Sequence, residues 1–508
     1  MHDDANHLLD ALLQGARTRG GARFAETPAG RTLSYADLLA GAGRMAAALV
    51  AAGARPGDRV AAQVEKSPEA IQLYLGTVLA GAAFLPLNPG YTDAEIAFFL
   101  GDAAPAVLVC DPARRAALEG TARAAGVRSV LTLAADGAGT LAQASAAEAP
   151  LPTPVPRMPD DLAAILYTSG TTGRSKGAML THANLASNAR VLRDAWRFTG
   201  ADVLIHALPI FHTHGLFVAT NVALASGASL VFLPGFDADA IVDAMARATV
   251  LMGVPTFYTR LLGHPGLTRE RASRMRLFVS GSAPLLAETH RLWRARTGHA
   301  ILERYGMTET NMNTSNPYEG ERRAGTVGLP LPGTEVRITG EGGRTLPAGE
   351  TGAIEVRGPN VFAGYWRMPE KTAEEMREGG WFATGDLGAV DADGYLTIVG
   401  RSKDLIITGG YNVYPKEVEA LVDAIEGVSE SAVIGLPHPD LGEGVAVAIV
   451  PEPGADLTPE AVLEPLRRTL ARYKQPRRVL FLRELPRNAM GKVQKNVLRE
   501  AHAAAFDA

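Results

Sequence analysis

Short apolar runs with the texture of buried strands recur through the first four hundred residues, and helical patterns separate them. DRVAAQVEKSPE, AAFLPLN, AVLVCD, AAILYTSG, ASLVFLPG and MRLFVSGSA read as strands; PEAIQLYLGTVLAGA and DADAIVDAMARA read as helices. Such alternation predicts an α/β fold with largely parallel sheets. From Thr334 the texture changes. TEVRITGEGGRTLPAGETGAIEVRG alternates apolar and polar residues around Gly342-Gly343, the pattern of an antiparallel hairpin. After Gly400 it changes again. Pro415 can open a helix with Val418, Leu421, Val422 and Ile425 at helical spacing. The strands SAVIGL and GVAVAIV, a helix from about Pro459 to Ala471 and a strand RRVLFL follow.

The expected architecture is a large N-terminal domain, residues 1–402, and a small α+β C-terminal domain, residues 403–508. The large domain should combine parallel or mixed sheets, helices and a β-barrel-like part. The stretch from Ala134 to Pro156, rich in Ala and Pro, suggests a domain boundary, and a long surface connection inside a domain fits as well.

Composition excludes several classes. At ~150 residues per domain, 508 residues make two to four domains. The 50 Lys and Arg against 54 Asp and Glu leave −4, so no basic excess points to nucleic acid or an anionic membrane. The single cysteine, Cys110, rules out an intrachain disulfide and reads as a small buried hydrophobe. The opening MHDDANHLLD does not resemble a secretory signal. The longest apolar run, around Leu73 to Leu87, is interrupted by Gly76, Gly81 and Pro86, and a bilayer needs ~20 apolar residues. A cytoplasmic protein is expected.

The densest chemical signal follows the strand AAIL. Thr168, Ser169, Gly170, Thr171, Thr172, Gly173 and Lys176 form a glycine–hydroxyl loop ending on a cation. Glycines let the backbone approach closely, while hydroxyls and free N–H groups surround phosphate oxygens. Ser175 before Lys176 distinguishes it from a Walker A loop.

TSGTTGRSKG resembles the signature loop of the adenylate-forming superfamily of acyl- and aryl-CoA ligases, adenylation domains and luciferases. LPIFHTHG at 208–215, YGMTE at 305–309, TGDL at 384–387, GRSKDLIITGGYNVYPKEVE at 400–419 and PRNAMGKVQK at 486–495 follow in the family's order. The resemblance implies two half-reactions in one site, with ATP, Mg²⁺ and coenzyme A. It assigns Thr168–Lys176 to the β- and γ-phosphates, Thr308 to the α-phosphate and Glu309 to Mg²⁺, a hard cation that prefers carboxylate oxygen. Tyr305 and Gly306 would flank adenine, and Asp386 with Arg401 would hold the ribose. Lys492 would be the catalytic lysine and Lys403 the hinge, with Gly409 and Gly410 presented to CoA after the small domain rotates. Ser175, Ala383 and Lys495 depart from the usual proline, polar or basic residue, and arginine. Lys492 also suggests a lysine acetyltransferase and a deacetylase as partners, since acetylation removes its charge.

The acyl pocket should be polar. His212, Thr213 and His214, Arg260, Ser280 and Ser282, and Asn311 and Asn313 fall on the segments expected to line it. Arg260 sits in the otherwise apolar helical run VPTFYTRLL, and an inward arginine calls for an anion. FHTHGL, FYTRLL, SGSAPL and YGMTETNMNTSNPYEGERRAGTVG are together similar to the malonyl-CoA synthetases of that superfamily. This implies ligation of malonate, and also methylmalonate, to CoA, with Met312 and Thr213 limiting the space at the α-carbon and His212 gating the pocket. The competing expectations are another short mono- or dicarboxylic acid, a carrier-protein acceptor, a silent nucleotide-binding homologue and an oxygenating luciferase.

Overall fold

The computed structural model describes residues 5–151, 153–168, 175–408, 411–488 and 491–506. It is a mixed α/β protein with a large N-terminal and a small C-terminal domain. Two sheets form the body of the large domain. One has seven strands; Ser129–Thr132, Val107–Cys110, Arg59–Gln63, Ala83–Pro86 and Leu162–Thr168 run parallel in that spatial order. Lys176–Thr181 then returns antiparallel beside Leu162–Thr168. The other has nine strands, with a parallel centre from Arg23–Glu26 through Val250–Gly253 and Leu277–Ser280 to Leu302–Met307. Asn311–Ser315 folds back antiparallel on that last strand.

The helix Pro68–Leu79 is buried along its whole length. Ser67 caps its N-terminus and Pro68 occupies the first turn, where no backbone donor is lost. Tyr74 touches Phe84 on one side and Phe217 on the other, which ties the layers together. Cys110 is a free, buried core residue, and burial pushes its thiol up to about 11.

The hairpin at Gly342-Gly343 forms as expected, Glu335–Thr339 pairing with Gly352–Arg357. Both glycines have positive φ, +69° and +76°. The barrel-like part is a five-stranded antiparallel sheet that also contains Trp381–Val390 and Leu396–Arg401. The small domain pairs Val428–His438 with Gly442–Pro451 and covers them with helices Pro415–Val422 and Pro459–Thr469. Val418, Val422, Val433, Val447, Val462 and Leu466 give it its own core.

Two local expectations change. Residues 134–156 contain a helix, Thr140–Ala147, whose Leu141 is buried. Its Ala-rich composition hid the short period. Ile425 lies past the end of its helix. No helix among the described residues is long and apolar enough to cross a membrane.

Candidate active site

Residues of three strands and one loop of the small domain converge. Asp386 and Arg401 are register partners on adjacent antiparallel strands, with Oδ1 2.9 Å from Nε. Tyr305, on Leu302–Met307, donates its hydroxyl to Asp386 Oδ2 at 2.5 Å. The Asp386 charge holds the Arg401 guanidinium above its usual range. Gly306 sits at a bulge where an added Cβ would lie 1.8 Å from the Asn311 carbonyl oxygen, so no larger residue fits.

Glu309 is 4% exposed. Tyr365 donates to its Oε1 at 3.0 Å, and Thr168 Oγ1 lies 3.5 Å away. Burial raises its carboxyl pKa, against the opposing pull of the Tyr365 hydrogen bond and the Lys176 and Arg401 charges. No group of three potential metal ligands occurs among the described residues. One buried carboxylate suits a cation that takes its other ligands from phosphates and water, as Mg²⁺ does. Lys176 is paired with Glu375, Nζ to Oε1 3.0 Å, and stands 4.0 Å from the Tyr365 ring centroid. Thr308 occupies the turn after Tyr305 and is half-buried.

Lys492 lies between the two domains. Gly491 approaches the Thr256 side chain of the large domain. Enclosure in the cleft, and secondly the Arg401 charge, lower the Lys492 ammonium to about 8, against the opposing pull of Asp386. Its side chain still reaches water. Lys403 is exposed in a short turn directly after Arg401. Ser169, Gly170, Thr171, Thr172 and Gly173, and Gly409 and Gly410, lie outside the described residues.

A second group of buried polar atoms has no hydrogen-bond partners. It comprises His212 Nε2, Thr213 Oγ1, His214 Nε2, Ser280 Oγ, both amide atoms of Asn311, and Nε and Nη2 of Arg304. Ser282 Oγ lies 3.2 Å from His214 Nδ1 and is held there by a left-handed backbone, φ +72°. Burial lowers His212 to about 4 and pushes His214 well below the usual imidazole value, the latter helped by the Arg304 charge. Both imidazoles are therefore neutral at pH 7. Met312 is 2% exposed and its Sδ-methyl lies against Gly306.

Arg260 does not join this cluster. The helix Pro255–Leu262 turns Phe257, Tyr258 and Leu261 inward, which leaves Arg260 on the exposed face. Its guanidinium packs 5.5 Å over the Phe236 ring instead. The inward arginine is Arg304, 4% exposed, on the strand beside Tyr305. Desolvation lowers it to about 9.

The AMP-binding enzyme profile matches residues 13–366, and the AMP-binding enzyme C-terminal domain profile matches residues 417–492. The chain belongs to the AMP-binding enzyme family.

This AMP-binding enzyme is 37% identical to a feruloyl-CoA synthase of Amycolatopsis over 92% of its own length and 94% of the relative's. It is also 37% identical to a malonate–CoA ligase of Arabidopsis thaliana, over 88% and 79% of the two chains. The crystal structure of ATP-bound MatB from Rhodopseudomonas palustris superposes with a TM-score of 0.96, at 58% identity, covering 99% of each chain.

Sequence reading of this AMP-binding enzyme missed Arg304, Tyr365 and Glu375. Arg304 had a usable signal: ILERYGM is a strand in a covered parallel sheet, where both faces are buried and any charge needs a partner. Tyr365 and Glu375 had none, because they reach Glu309 and Lys176 only through long-range packing.

Proposed function

We infer that the protein is an ATP-dependent malonate–CoA ligase. A malonate carboxylate oxygen attacks the α-phosphorus of ATP, the α–β phosphoanhydride bond breaks, and pyrophosphate leaves. The CoA sulfur then attacks the acyl carbon, the acyl–phosphate bond breaks, and AMP leaves with malonyl-CoA as product.

Buried, unpaired Arg304 carries the malonate assignment. Nε and Nη2 have no acceptor, and the Arg304 charge acts on His214, which is bonded to Ser282. A cation left unsatisfied in low dielectric costs several kcal/mol, roughly 3–5 when its partner is missing. A second substrate carboxylate supplies the partner, in the fork geometry that guanidinium favours. A feruloyl or fatty acyl tail would leave it orphaned. Methylmalonate belongs to the same reading, with Met312 and Thr213 bounding the α-substituent.

In this reading Lys492 draws the attacking carboxylate and the α-phosphate together. Thr308 hydrogen-bonds that phosphate, Tyr305 and Gly306 flank adenine, and Asp386, paired with Arg401, accepts hydrogen bonds from the ribose hydroxyls. Glu309 would hold Mg²⁺, which neutralises phosphate charge when bound. Ser169, Gly170, Thr171, Thr172 and Gly173 with Lys176 wrap the β- and γ-phosphates. The small domain would turn at Lys403 between half-reactions and bring Gly409 and Gly410 to CoA. A cytoplasmic setting, with control by an acetyltransferase and a deacetylase at the water-accessible Lys492, completes it.

The test is pyrophosphate release with ATP, Mg²⁺ and CoA across malonate, methylmalonate, succinate, acetate, propionate, benzoate and octanoate. Malonate should lead, and Arg304→Met should abolish that lead. A higher kcat/KM for acetate, benzoate or octanoate would overturn the substrate assignment while leaving the ligase chemistry intact.

A further inference from the structure

One basic group near the acyl pocket has no part in the chemistry above. Lys66 Nζ lies 2.8 Å from the backbone oxygen of His206 and 3.0 Å from its ring Nδ1. Among the described residues no carboxylate pairs with it, and its other neighbour is the face of Phe232, 4.6 Å from the centroid. Desolvation alone pushes its ammonium well below the usual value. A lysine kept in such a place costs stability, and such groups concentrate at functional sites.

Its hydrogen bonds lead to the pocket. His206 is 1% exposed, and its Nε2 lies 2.9 Å from the Gly215 carbonyl oxygen. A carbonyl only accepts, so Nε2 carries the proton and Nδ1 accepts from Lys66. Lysine donates in either protonation state. The Gly215 oxygen also accepts from Thr220 Oγ1 at 2.9 Å. These bonds brace a π-helix, His214–Thr220, the wide helical turn that often marks functional sites. Gly215 is wedged there; a Cβ would lie 2.0 Å from the Pro209 oxygen. Thr213 precedes this turn and His214 opens it, with Nδ1 of His214 3.2 Å from Ser282 Oγ and the Arg304 charge acting on its ring.

We propose that Lys66 is a positioning and specificity-determining residue: through His206 it holds the wide turn that aims Thr213 and His214 at the distal carboxylate of the substrate. The proposal rests on the malonate reading and goes beyond it. Lys66 bonds to His206 and, among the described residues, to none of those assigned above to ATP or the reacting carboxylate, so its loss changes the choice of acid and leaves nucleotide binding alone.

The test compares kcat/KM for malonate and propionate, two three-carbon acids differing in the second carboxylate, in the native protein and in Lys66→Met, Lys66→Gln and Thr220→Val. Lys66→Met keeps an unbranched side chain, one atom shorter and without a donor, and should lower the malonate-to-propionate ratio at least tenfold, with KM for ATP within twofold of native. Lys66→Gln retains a donor and should restore most of the ratio. Thr220→Val removes the hydroxyl at the far end of the chain and should lower the ratio about threefold, which keeps the test open if Lys66→Met does not fold. A native ratio unchanged in Lys66→Met, or in Thr220→Val where Lys66→Met does not fold, overturns the proposal. No preference for malonate in the native protein overturns the substrate reading and the proposal with it.

Discussion

The guanidinium of Arg304 lies directly over the backbone of Gly281: a Cβ built on Gly281 would fall 2.3 Å from its Cζ and 2.4 Å from its Nη1. Gly281 directly follows the strand Leu277–Ser280, and Arg304 lies on the neighbouring parallel strand, just past its last paired residue; α/β sheets build their binding sites at such carboxyl edges. Glycine leaves the room in which this side chain stays unpaired. Gly281→Ala should therefore displace the guanidinium and raise KM for malonate at least tenfold, with KM for ATP unchanged. Steady-state titration of each substrate separates the two.

Arg304→Met should reduce kcat/KM for malonate by about a hundredfold, the effect of losing ~3 kcal/mol from a charge-assisted pair. The fold should survive, because a well-packed apolar replacement for an unpaired buried charge is commonly neutral or stabilising. Arg260→Leu should leave malonate kinetics within twofold of native. The two variants, assayed side by side, establish which arginine meets the acid.

Lys492 titrates near 8. Only its charged form brings two anions together, so adenylation should fall as pH rises through about 8. Lys492→Ala should slow adenylation by ~10²–10³-fold, as does loss of one preorganised electrostatic contact. The transfer of preformed malonyl-adenylate to CoA should be unaffected by the substitution. Single-turnover rates for each half-reaction check both statements.

Glu303 provides a pH test of stability. It is 6% exposed, burial raises its carboxyl to about 8, and its Oε1 accepts from Gly325 N at 3.4 Å. The folded state thus favours the protonated acid. That contribution is complete below the unfolded value of 4.5 and is lost as pH rises towards 8. Glu303→Gln keeps an acceptor and removes the titration. Its Tm should exceed the native value by about 2–4 °C at pH 8, in line with ~1 kcal/mol or more, and match it near pH 5. Thermal melts at the two pH values decide it.

Asp386→Asn should weaken nucleotide binding tenfold or more. The substitution removes the charge paired with Arg401 and alters the acceptor for Tyr305, and hydrogen bonds to charged groups contribute ~1.5–3 kcal/mol. Calorimetric titration with AMP measures it without turnover.

The sequence by itself determined the alternating α/β body, the hairpin at Gly342-Gly343 and the small domain with its Val418 and Val422 core, because hydrophobic period and turn chemistry are local properties. It also placed Asp386, Arg401, Tyr305 and Glu309 in ordered blocks, and two of these pairs are strand partners or hydrogen-bond partners. The facing of single side chains was decided elsewhere. Arg260 and Arg304 both interrupt apolar runs, and a run alone does not say which face is covered. Packing of the helix Pro255–Leu262 through Phe257, Tyr258 and Leu261 turned Arg260 to solvent, while a strand covered on both faces kept Arg304 inside. The bonds of Lys66 to His206 and of Tyr365 to Glu309 span 140 and 56 residues. No local pattern carries such distances; they follow from the stacking of separate layers, which only the tertiary structure decides.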